Sequence, residues 1–331
     1  MRIGVVAPVA VRIPIAGYGG IELACQWLAD EFARRGHEVL LFGNVDDGPA
    51  PAGWTGVRLG TESDVLSPEK LDRLLSCDAV SEWTHGKFAR FARLKNYRAT
   101  VMWTDARDEA GRNVYPSKAV RDAFNKAPEG TLYGNVKDAD APVVPIGIPT
   151  GGAALSDGGA GYVALGRVAP YKGQDLAVRV ARDAEVPLTV AGHTGGFADA
   201  YYSLAVAKMC RDAGFGFVPD PPDLHAMLDG AAGLLDLHRW IESFNIVAAE
   251  ALIRGIPVLT TDVGAVQEWV RECDGGLVAS LKDLEAGKFE AARAFFEENW
   301  KGRREGIAKR ARELFDVRRV ADRYLELLGA P

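Results

Sequence analysis

The sequence lacks the features that mark several classes of protein. Its 331 residues include only four cysteines, far apart and without a Cys-x-x-Cys pair, which argues against a zinc knuckle or a disulfide-stapled miniprotein. No stretch of about 18 apolar residues predicts a membrane-spanning helix. The 39 basic and 45 acidic residues give a net charge of −6, whereas proteins that bind nucleic acids usually have a basic surplus. We therefore expect a cytoplasmic protein with no nucleic-acid partner.

Strand and helix patterns alternate along the chain, which is typical of parallel sheets built from β-α-β units. The predicted strands are Ile3–Val6, Val39–Phe42, Thr100–Trp103, Tyr162–Leu165, Leu188–Ala191, Gly233–Leu237 and Pro257–Thr260. The strand–loop–helix order begins twice, and a Gly/Ala/Ser-rich stretch over 149–160 has the composition of a linker. We predict two Rossmann-like, doubly wound α/β domains, residues 1–150 and 151–316, that face each other across a ligand-binding cleft.

Two loops that follow predicted strands have ligand-binding chemistry. The first, Gly-Tyr-Gly-Gly at 17–20, opens a long helix; glycines let a backbone approach a ligand, and a helix N-terminus attracts anions. It matches neither a Walker A loop nor a dinucleotide fingerprint, so a structural turn explains it equally well. The second, Gly166–Gly173, contains Arg167 and Lys172, whose guanidinium and ammonium groups suit a phosphate.

The most informative segment contains Glu242 and Glu250, separated by seven residues. Positions Ile246 to Ile253 are mostly small and apolar, as in a buried helix, and Gly255 follows as a stop signal. A carboxylate at Glu250 inside such a helix is costly to bury unless it is hydrogen-bonded, and the paired hydroxyls of a ligand would satisfy it. Eight helical residues span about 12 Å, which lets two carboxylates reach different parts of one extended ligand.

Together these segments resemble the retaining glycosyltransferases of family 4, which have the GT-B fold. The pair Glu242 and Glu250 is similar to that family's E-x7-E signature, and Gly166–Gly173 is similar to its GR…KG loop. Three further segments are similar to its patterns: Gly19–Glu22 (GG-x-E), Val144–Gly147 (V-I-P-x-G) and Thr261–Glu268 (T-D-x-G-G-x-x-E). The five segments occur in the family's order and span nearly the whole chain.

The resemblance implies transfer of a sugar from a nucleoside-diphosphate sugar to an acceptor hydroxyl, with retained anomeric configuration and without a metal. It assigns Glu250 to the ribose hydroxyls, Glu242 to the transferred sugar, and Arg167 with Lys172 to the diphosphate. Further donor contacts are expected from glycines and from backbone N–H groups at a helix N-terminus: Gly19, Gly20, Gly166, Phe244, Asn245 and Ile246. The acceptor is expected to be a glycan, a lipid-linked molecule or a small natural product. The helix at 317–331 is expected to cross back to the first domain.

The sequence departs from the family pattern at the E-x7-E segment. Asn245 replaces the usual Gly after Phe, and Asn tolerates the left-handed backbone better than most residues. His238 and Arg239 replace the usual Pro-Ser before Glu242, which leaves the identity of the sugar open. Elsewhere, His85 is the candidate for the family's catalytic histidine, although it occurs two residues later than expected. It either lines the cleft or lies on the surface.

Other patterns have plainer explanations. Trp103 and Asp105 follow a predicted strand and are candidates for the acceptor side. Asp138 and Asp140 have the Asp-x-Asp spelling of Mn²⁺ sites, but we interpret them as part of a loop, and the five histidines show no metal-ligand spacing. The basic, aromatic stretch 87–98 is either an amphipathic helix that contacts an anionic acceptor or a lipid surface, or a solvated helix face, which we favour.

Two other functions stay open at this point. One is a different GT-B enzyme, such as a nucleotide-sugar epimerase, which is expected to have additional acid–base residues in the cleft. The other is a nucleotide-sugar-binding protein without catalysis, which the presence of both glutamates and both cations argues against. Turnover of a donor would separate these alternatives.

Overall fold

The computed structural model describes residues 1–15, 19–102, 105–127, 138–159, 161–195 and 199–329. Contacts divide the chain into two compact units: unit 1 comprises Met1–Pro149 with Phe315–Pro331, and unit 2 comprises Thr150–Leu314. Among the described residues, no helix is long and apolar enough to cross a membrane.

Unit 1 is built on a seven-stranded sheet. Its strands are β1 (Arg2–Val6), β2 (Glu38–Gly43), β3 (Gly48–Pro49), β4 (Thr55–Arg58), β5 (Ala79–Glu82), β6 (Tyr97–Thr100) and β7 (Asn113–Val114). The spatial order is β3-β4-β2-β1-β5-β6-β7, and every neighbouring pair is parallel except the antiparallel pair of β3 and β4. The helices of this unit are α1 (Gly20–Arg34), α2 (Pro68–Leu75), α3 (Lys118–Lys126) and the C-terminal α11 (Val317–Leu327).

Helices α1 and α11 pack on each other, and α1 also lies against β1 and β2 of the sheet. The spacing that predicted α1 places Cys25, Leu28 and Phe32 in the core. Helix α11 buries Tyr324, whose hydroxyl lies 2.8 Å from Thr100 Oγ1 at the end of β6. The last helix is therefore part of the core of unit 1.

Unit 2 is built on a six-stranded, wholly parallel sheet. Its strands are β8 (Tyr162–Leu165), β9 (Leu188–Gly192), β10 (Gly216–Pro219), β11 (Gly233–Asp236), β12 (Val258–Thr261) and β13 (Gly276–Ala279), in the order β10-β9-β8-β11-β12-β13. Its helices are α4 (Gln174–Asp183), α5 (Ala200–Ala213), α6 (Ile246–Ile253), α7 (Val266–Glu272), α8 (Leu281–Glu285), α9 (Glu290–Glu297) and α10 (Arg304–Phe315), whose last residue counts with unit 1.

Both sheets have the doubly wound strand order, which confirms the predicted fold class. In unit 2 the chain runs outward in one direction from β8 and in the other from β11, so these neighbouring strands form the topological switch point. Ligands of open parallel sheets bind beyond the carboxyl ends of the strands at this point. The loops that follow β8 and β11 are therefore the first place to look for a site.

Two sequence predictions for unit 1 are wrong. The strand predicted over Thr100–Trp103 lies earlier in the chain: β6 spans Tyr97–Thr100, Val101 and Met102 are not in a strand, and Trp103 lies outside the described residues. The stretch 87–98 is not an amphipathic helix: a 3-10 turn at Phe88–Ala92 is followed by the start of β6. Lys87 and Tyr97 are fully buried, so they form neither a solvated face nor a membrane contact. The spacing of charged and aromatic residues led to the wrong prediction, because a short turn and a strand direct Lys87 and Tyr97 into the core.

Candidate active site

Two loops of unit 2 lie against each other at the switch point. Residues 166–173 follow β8 and end in a 3-10 turn, Pro170–Lys172; residues 237–245, which we call the Glu242 loop, connect β11 to α6. Gly173 has a φ of 72°, and a Cβ there would lie 1.9 Å from the carbonyl oxygen of Leu237. Only glycine permits this approach, so Gly173 allows the loop 166–173 to pack directly against the Glu242 loop.

The structure joins two predicted site residues in an ion pair. Lys172 Nζ donates to Glu242 Oε2 at 2.5 Å, and Trp240 Nε1 donates to the same oxygen at 3.0 Å. Both charged side chains are largely buried, with exposed fractions of 16% for Lys172 and 12% for Glu242. Burial is the largest single effect and acts to raise the pKa of Glu242. The charges of Lys172 and His238, together with the hydrogen bonds from Lys172 and Trp240, outweigh it, and the pKa is lowered overall. The carboxylate is therefore ionised at neutral pH.

Arg167 lies in the same group of side chains. Its guanidinium donates to the hydroxyl of Tyr171 at 2.9 Å, and the ring of Tyr171 packs on Trp240 with centroids 4.9 Å apart. Gly166 separates Arg167 from β8. Sequence reasoning missed both aromatic residues, although their place in the two loops was a usable signal. The two rings thus lie beside the cations Arg167 and Lys172 and the carboxylate of Glu242.

Glu250 is buried in α6, as its small apolar neighbours predicted. Its carboxylate already has partners within the protein: His225 Nδ1 is hydrogen-bonded to Oε2, and Arg254 Nη1 lies 3.8 Å from the same oxygen. Sequence reasoning missed His225, which lies 25 residues earlier in a separate 3-10 turn. The hydrogen bond to Glu250 raises the pKa of His225, against the opposing effect of burial.

The segment before α6 is anchored by side chains. Asn245 has a φ of 70°, which confirms the predicted left-handed backbone; its Oδ1 accepts from Ala248 N, which caps α6. Phe244 is buried, and its carbonyl accepts a hydrogen bond of 2.9 Å from the indole of Trp269. The side chain of Phe244 thus belongs to the core. The donor contacts predicted for this segment therefore involve its backbone N–H groups, which lead into Ile246, the first residue of α6.

In unit 1, His85 lies beyond the carboxyl end of β5. Its Nδ1 is 2.6 Å from Asp105 Oδ1, and the buried Asp105 also accepts from Lys87 Nζ and from the backbone N–H of Met102, both at 2.8 Å. The side chain of His85 is half exposed. The hydrogen bond to Asp105 raises the pKa of His85, against the opposing effect of burial. His85 is thus neither buried nor a free surface group, because Asp105 fixes one ring nitrogen.

The glycine segment before α1 has a structural explanation. A Cβ at Gly19 would lie 3.0 Å from Val11 Cγ1, and Gly20 is the first residue of α1. Glu22 is buried, and its Oε1 accepts from the backbone N–H of Val11 at 3.1 Å. Burial raises the pKa of Glu22. This carboxylate fixes the long loop that precedes the helix.

Several sequence candidates fall outside the described residues or have other partners. Gly17, Tyr18 and Trp103 lie outside the described residues. Asp138 is buried, and its Oδ2 accepts from Asn113 Nδ2 at 2.6 Å and from the hydroxyl of Tyr115 at 2.9 Å, which is a structural role. Within the described part of the chain, no group of three His, Cys, Asp or Glu side chains is placed to hold a metal ion.

Comparisons with known proteins bear on unit 2 and on the whole fold. Residues 155–314 match the family described as Glycosyl transferases group 1. The chain is also 33% identical over 125 residues to D-inositol 3-phosphate glycosyltransferase of Nocardia farcinica, a match that covers 34% of this chain and 28% of that relative's length.

Solved structures extend the similarity to both units. AviGT4, a glycosyltransferase involved in avilamycin A biosynthesis, has a TM-score of 0.74 and 22% identity, with 99% of this chain and 97% of that chain covered. HepE of Anabaena, in complex with UDP, has a TM-score of 0.69 and 16% identity, with both chains fully covered. The fold is GT-B, and the comparisons support the group 1 family of glycosyl transferases.

Proposed function

We propose that this GT-B chain is a retaining glycosyltransferase of family 4, which moves a hexose from a nucleoside-diphosphate sugar to an acceptor hydroxyl. The observation that carries the proposal is the group formed by Arg167, Lys172 and Glu242 at the switch point of unit 2. Two cations beside one ionised carboxylate suit a diphosphate joined to a sugar, whose hydroxyls donate to the carboxylate. HepE, a protein of this fold, has been solved with UDP and with UDP-glucose, which makes UDP-sugars the first donors to test, followed by GDP-sugars.

Donor binding would change two contacts that the structure shows. Lys172, which neutralises Glu242, would share its charge with the diphosphate, and Arg167 would add a second cation. Glu250 would exchange its hydrogen bond with His225 for the ribose hydroxyls. Glu242 is already ionised and held by Lys172 and Trp240 before the donor binds, whereas Glu250 has to exchange one hydrogen-bond partner for another.

The chemistry needs no nucleophile from the protein. The bond between the anomeric carbon and the phosphate oxygen breaks, a bond from that carbon to the acceptor oxygen forms on the same face, and the acceptor proton passes to the leaving phosphate. Arg167 and Lys172 stabilise the negative charge that develops on the diphosphate, which is the role a metal ion plays in other transferases. We therefore propose a metal-independent reaction.

The acceptor and the cellular location belong to the same proposal. The acceptor class is a glycan, a lipid-linked molecule or a small natural product. All four cysteines are buried free thiols, which supports a location in the reducing cytoplasm.

A thermal-shift screen against UDP-, GDP-, ADP- and dTDP-sugars tests donor binding, because a ligand of the native state raises the melting temperature. Donor turnover is then measured in EDTA, with the anomeric configuration of the product determined by NMR. Removal of either cation, in Arg167→Ala or Lys172→Ala, is expected to lower kcat on the order of 10²-fold. Lys208→Ala, a surface control in unit 2, should leave kcat unchanged. Tight donor binding without turnover across the acceptor classes would instead identify a binding protein, and an inverted product would exclude the retaining mechanism.

A further inference from the structure

Three polar side chains, two of them buried, form a hydrogen-bonded network at the end of β11. Asp236 Oδ2 accepts from Asn245 Nδ2 at 3.0 Å and lies 3.1 Å from His238 Nδ1. His238 is fully buried and Asp236 is 6% exposed. Buried polar groups are costly unless they are hydrogen-bonded, so the buried Asp236 and His238 depend on these contacts.

The partners of His238 determine its protonation. Its Nε2 lies 2.7 Å from the carbonyl oxygen of Val263, which can only accept, so this nitrogen carries a proton. Its Nδ1 faces the carboxylate of Asp236. Burial is the largest single effect and acts to lower the pKa of His238. The charge of Asp236, the hydrogen bond to it and the charge of Glu242 together outweigh burial and the opposing charge of Lys172, so the pKa is raised overall. Because both ring nitrogens face acceptor oxygens, only the doubly protonated ring satisfies both contacts.

The network holds the Glu242 loop at both of its ends. His238 joins the start of the loop to Val263, which follows β12, and Thr261 Oγ1 reinforces this junction by donating to the carbonyl of His238 at 2.8 Å. Asn245 joins the end of the loop to Asp236. Glu242 lies between the two anchors.

We propose that His238 is a positioning residue that holds the Glu242 loop in its active conformation only while both ring nitrogens carry a proton. The inference rests on the proposed function and assigns a role to a position where this chain departs from the family pattern. His238 does not reach the donor itself; it acts through Glu242. Loss of the Nδ1 proton leaves two acceptors, the ring nitrogen and the Asp236 carboxylate, facing each other, which weakens the anchor.

Histidine ¹⁵N NMR of the wild-type protein tests the protonation state without any substrate. His238, assigned by comparison with His238→Gln, should show two protonated nitrogens at pH 6. It should lose one proton above the ordinary histidine pKa, and Asp236→Asn should shift this titration to lower pH. A neutral ring at pH 6 in the wild-type protein would overturn the proposal.

Kinetics test the positioning role. In the wild-type enzyme kcat should fall as pH rises through the titration of His238, and Asp236→Asn should move that fall to lower pH. His238→Gln should lower kcat on the order of 10²-fold, abolish this pH dependence and leave the affinity for the nucleoside diphosphate unchanged. His37→Asn removes a histidine from the turn before β2 and should behave as wild type. Wild-type kcat and pH profile in His238→Gln would refute the positioning role.

The two proposals fail in different ways. If the wild-type chain turns over no donor, the proposed function fails while the NMR titration still reports on His238. If His238→Gln loses diphosphate binding together with kcat, its role is general stability of the unit rather than positioning of Glu242, and the inference is wrong.

Discussion

Replacing Lys172 by Met tests the ion pair at the centre of the candidate site. Met keeps most of the length and apolar volume of Lys but removes the charge, so Glu242 is left with Trp240 as its described hydrogen-bond donor. Both side chains of the pair are more than four-fifths buried. Removing one partner of such a pair leaves a charge without compensation, which costs about 3 kcal/mol in the free energy of unfolding at pH 7. For a unit of this size, that corresponds to a fall in Tm on the order of 10 °C.

The pH dependence of this effect has a defined sign. In the wild-type protein the folded-state pKa of Glu242 lies below its unfolded value. The pair therefore stabilises the fold above the unfolded pKa of about 4.3, and this contribution is lost as pH falls through the folded pKa. In Lys172→Met, the main group that opposes burial is removed, so we expect the pKa of Glu242 to rise. The deficit of the variant should be greatest near neutral pH and should shrink on acidification.

Urea denaturation of the full-length variants at several pH values measures this loss of stability. The variants Glu242→Gln and Lys172→Met/Glu242→Gln complete a double-mutant cycle. The double variant should be more stable than Lys172→Met alone at pH 7, because the unpaired charge is gone. Lys208→Met, which breaks an exposed pair with Asp212, should change little. Equal stability of Lys172→Met and wild type at pH 7, or a deficit that grows on acidification, would refute the account of the pair.

Three further outcomes follow from the described contacts. His225→Asn removes a histidine whose pKa is raised by its partner Glu250. The variant's loss of stability should be greatest below the unfolded histidine pKa of about 6.5 and should vanish as pH rises through the folded pKa of His225. Urea denaturation at a series of pH values checks this. Tyr97→Phe removes a donor to the buried Glu82 and should cost about 1–3 kcal/mol by the same method, while an unchanged midpoint would contradict the hydrogen bond. Gly173→Ala forces a methyl against a backbone carbonyl at a φ of 72° and should cost about 3 kcal/mol, whereas Gly302→Ala, with open space around it, should remain near wild type.

Short-range patterns predicted the regular elements well where burial and periodicity coincide. The limits of α6 (Ile246–Ile253) and of β8 (Tyr162–Leu165) agree with the structure to the residue. The strand β5 (Ala79–Glu82) is absent from the predicted strands because it ends in a glutamate, and a charged residue interrupts the apolar run that marks a buried strand. In the structure Glu82 is fully buried and accepts hydrogen bonds from Thr84 and from Tyr97. Tyr97 lies 15 residues away, so no local pattern reveals it as a partner.

The sequence by itself determined the two doubly wound domains, the switch-point loops and most candidate site residues. Apolar periodicity, glycine positions and charge are local properties, and they are sufficient for that. Only the tertiary structure decided which ionisable side chains pair with each other: Lys172 with Glu242, His225 with Glu250, and His238 with Asp236. Two members of such a pair can be 70 residues apart in the chain, as Lys172 and Glu242 are. Their ionisation depends on burial and on distances that exist only after both loops have packed on the sheet.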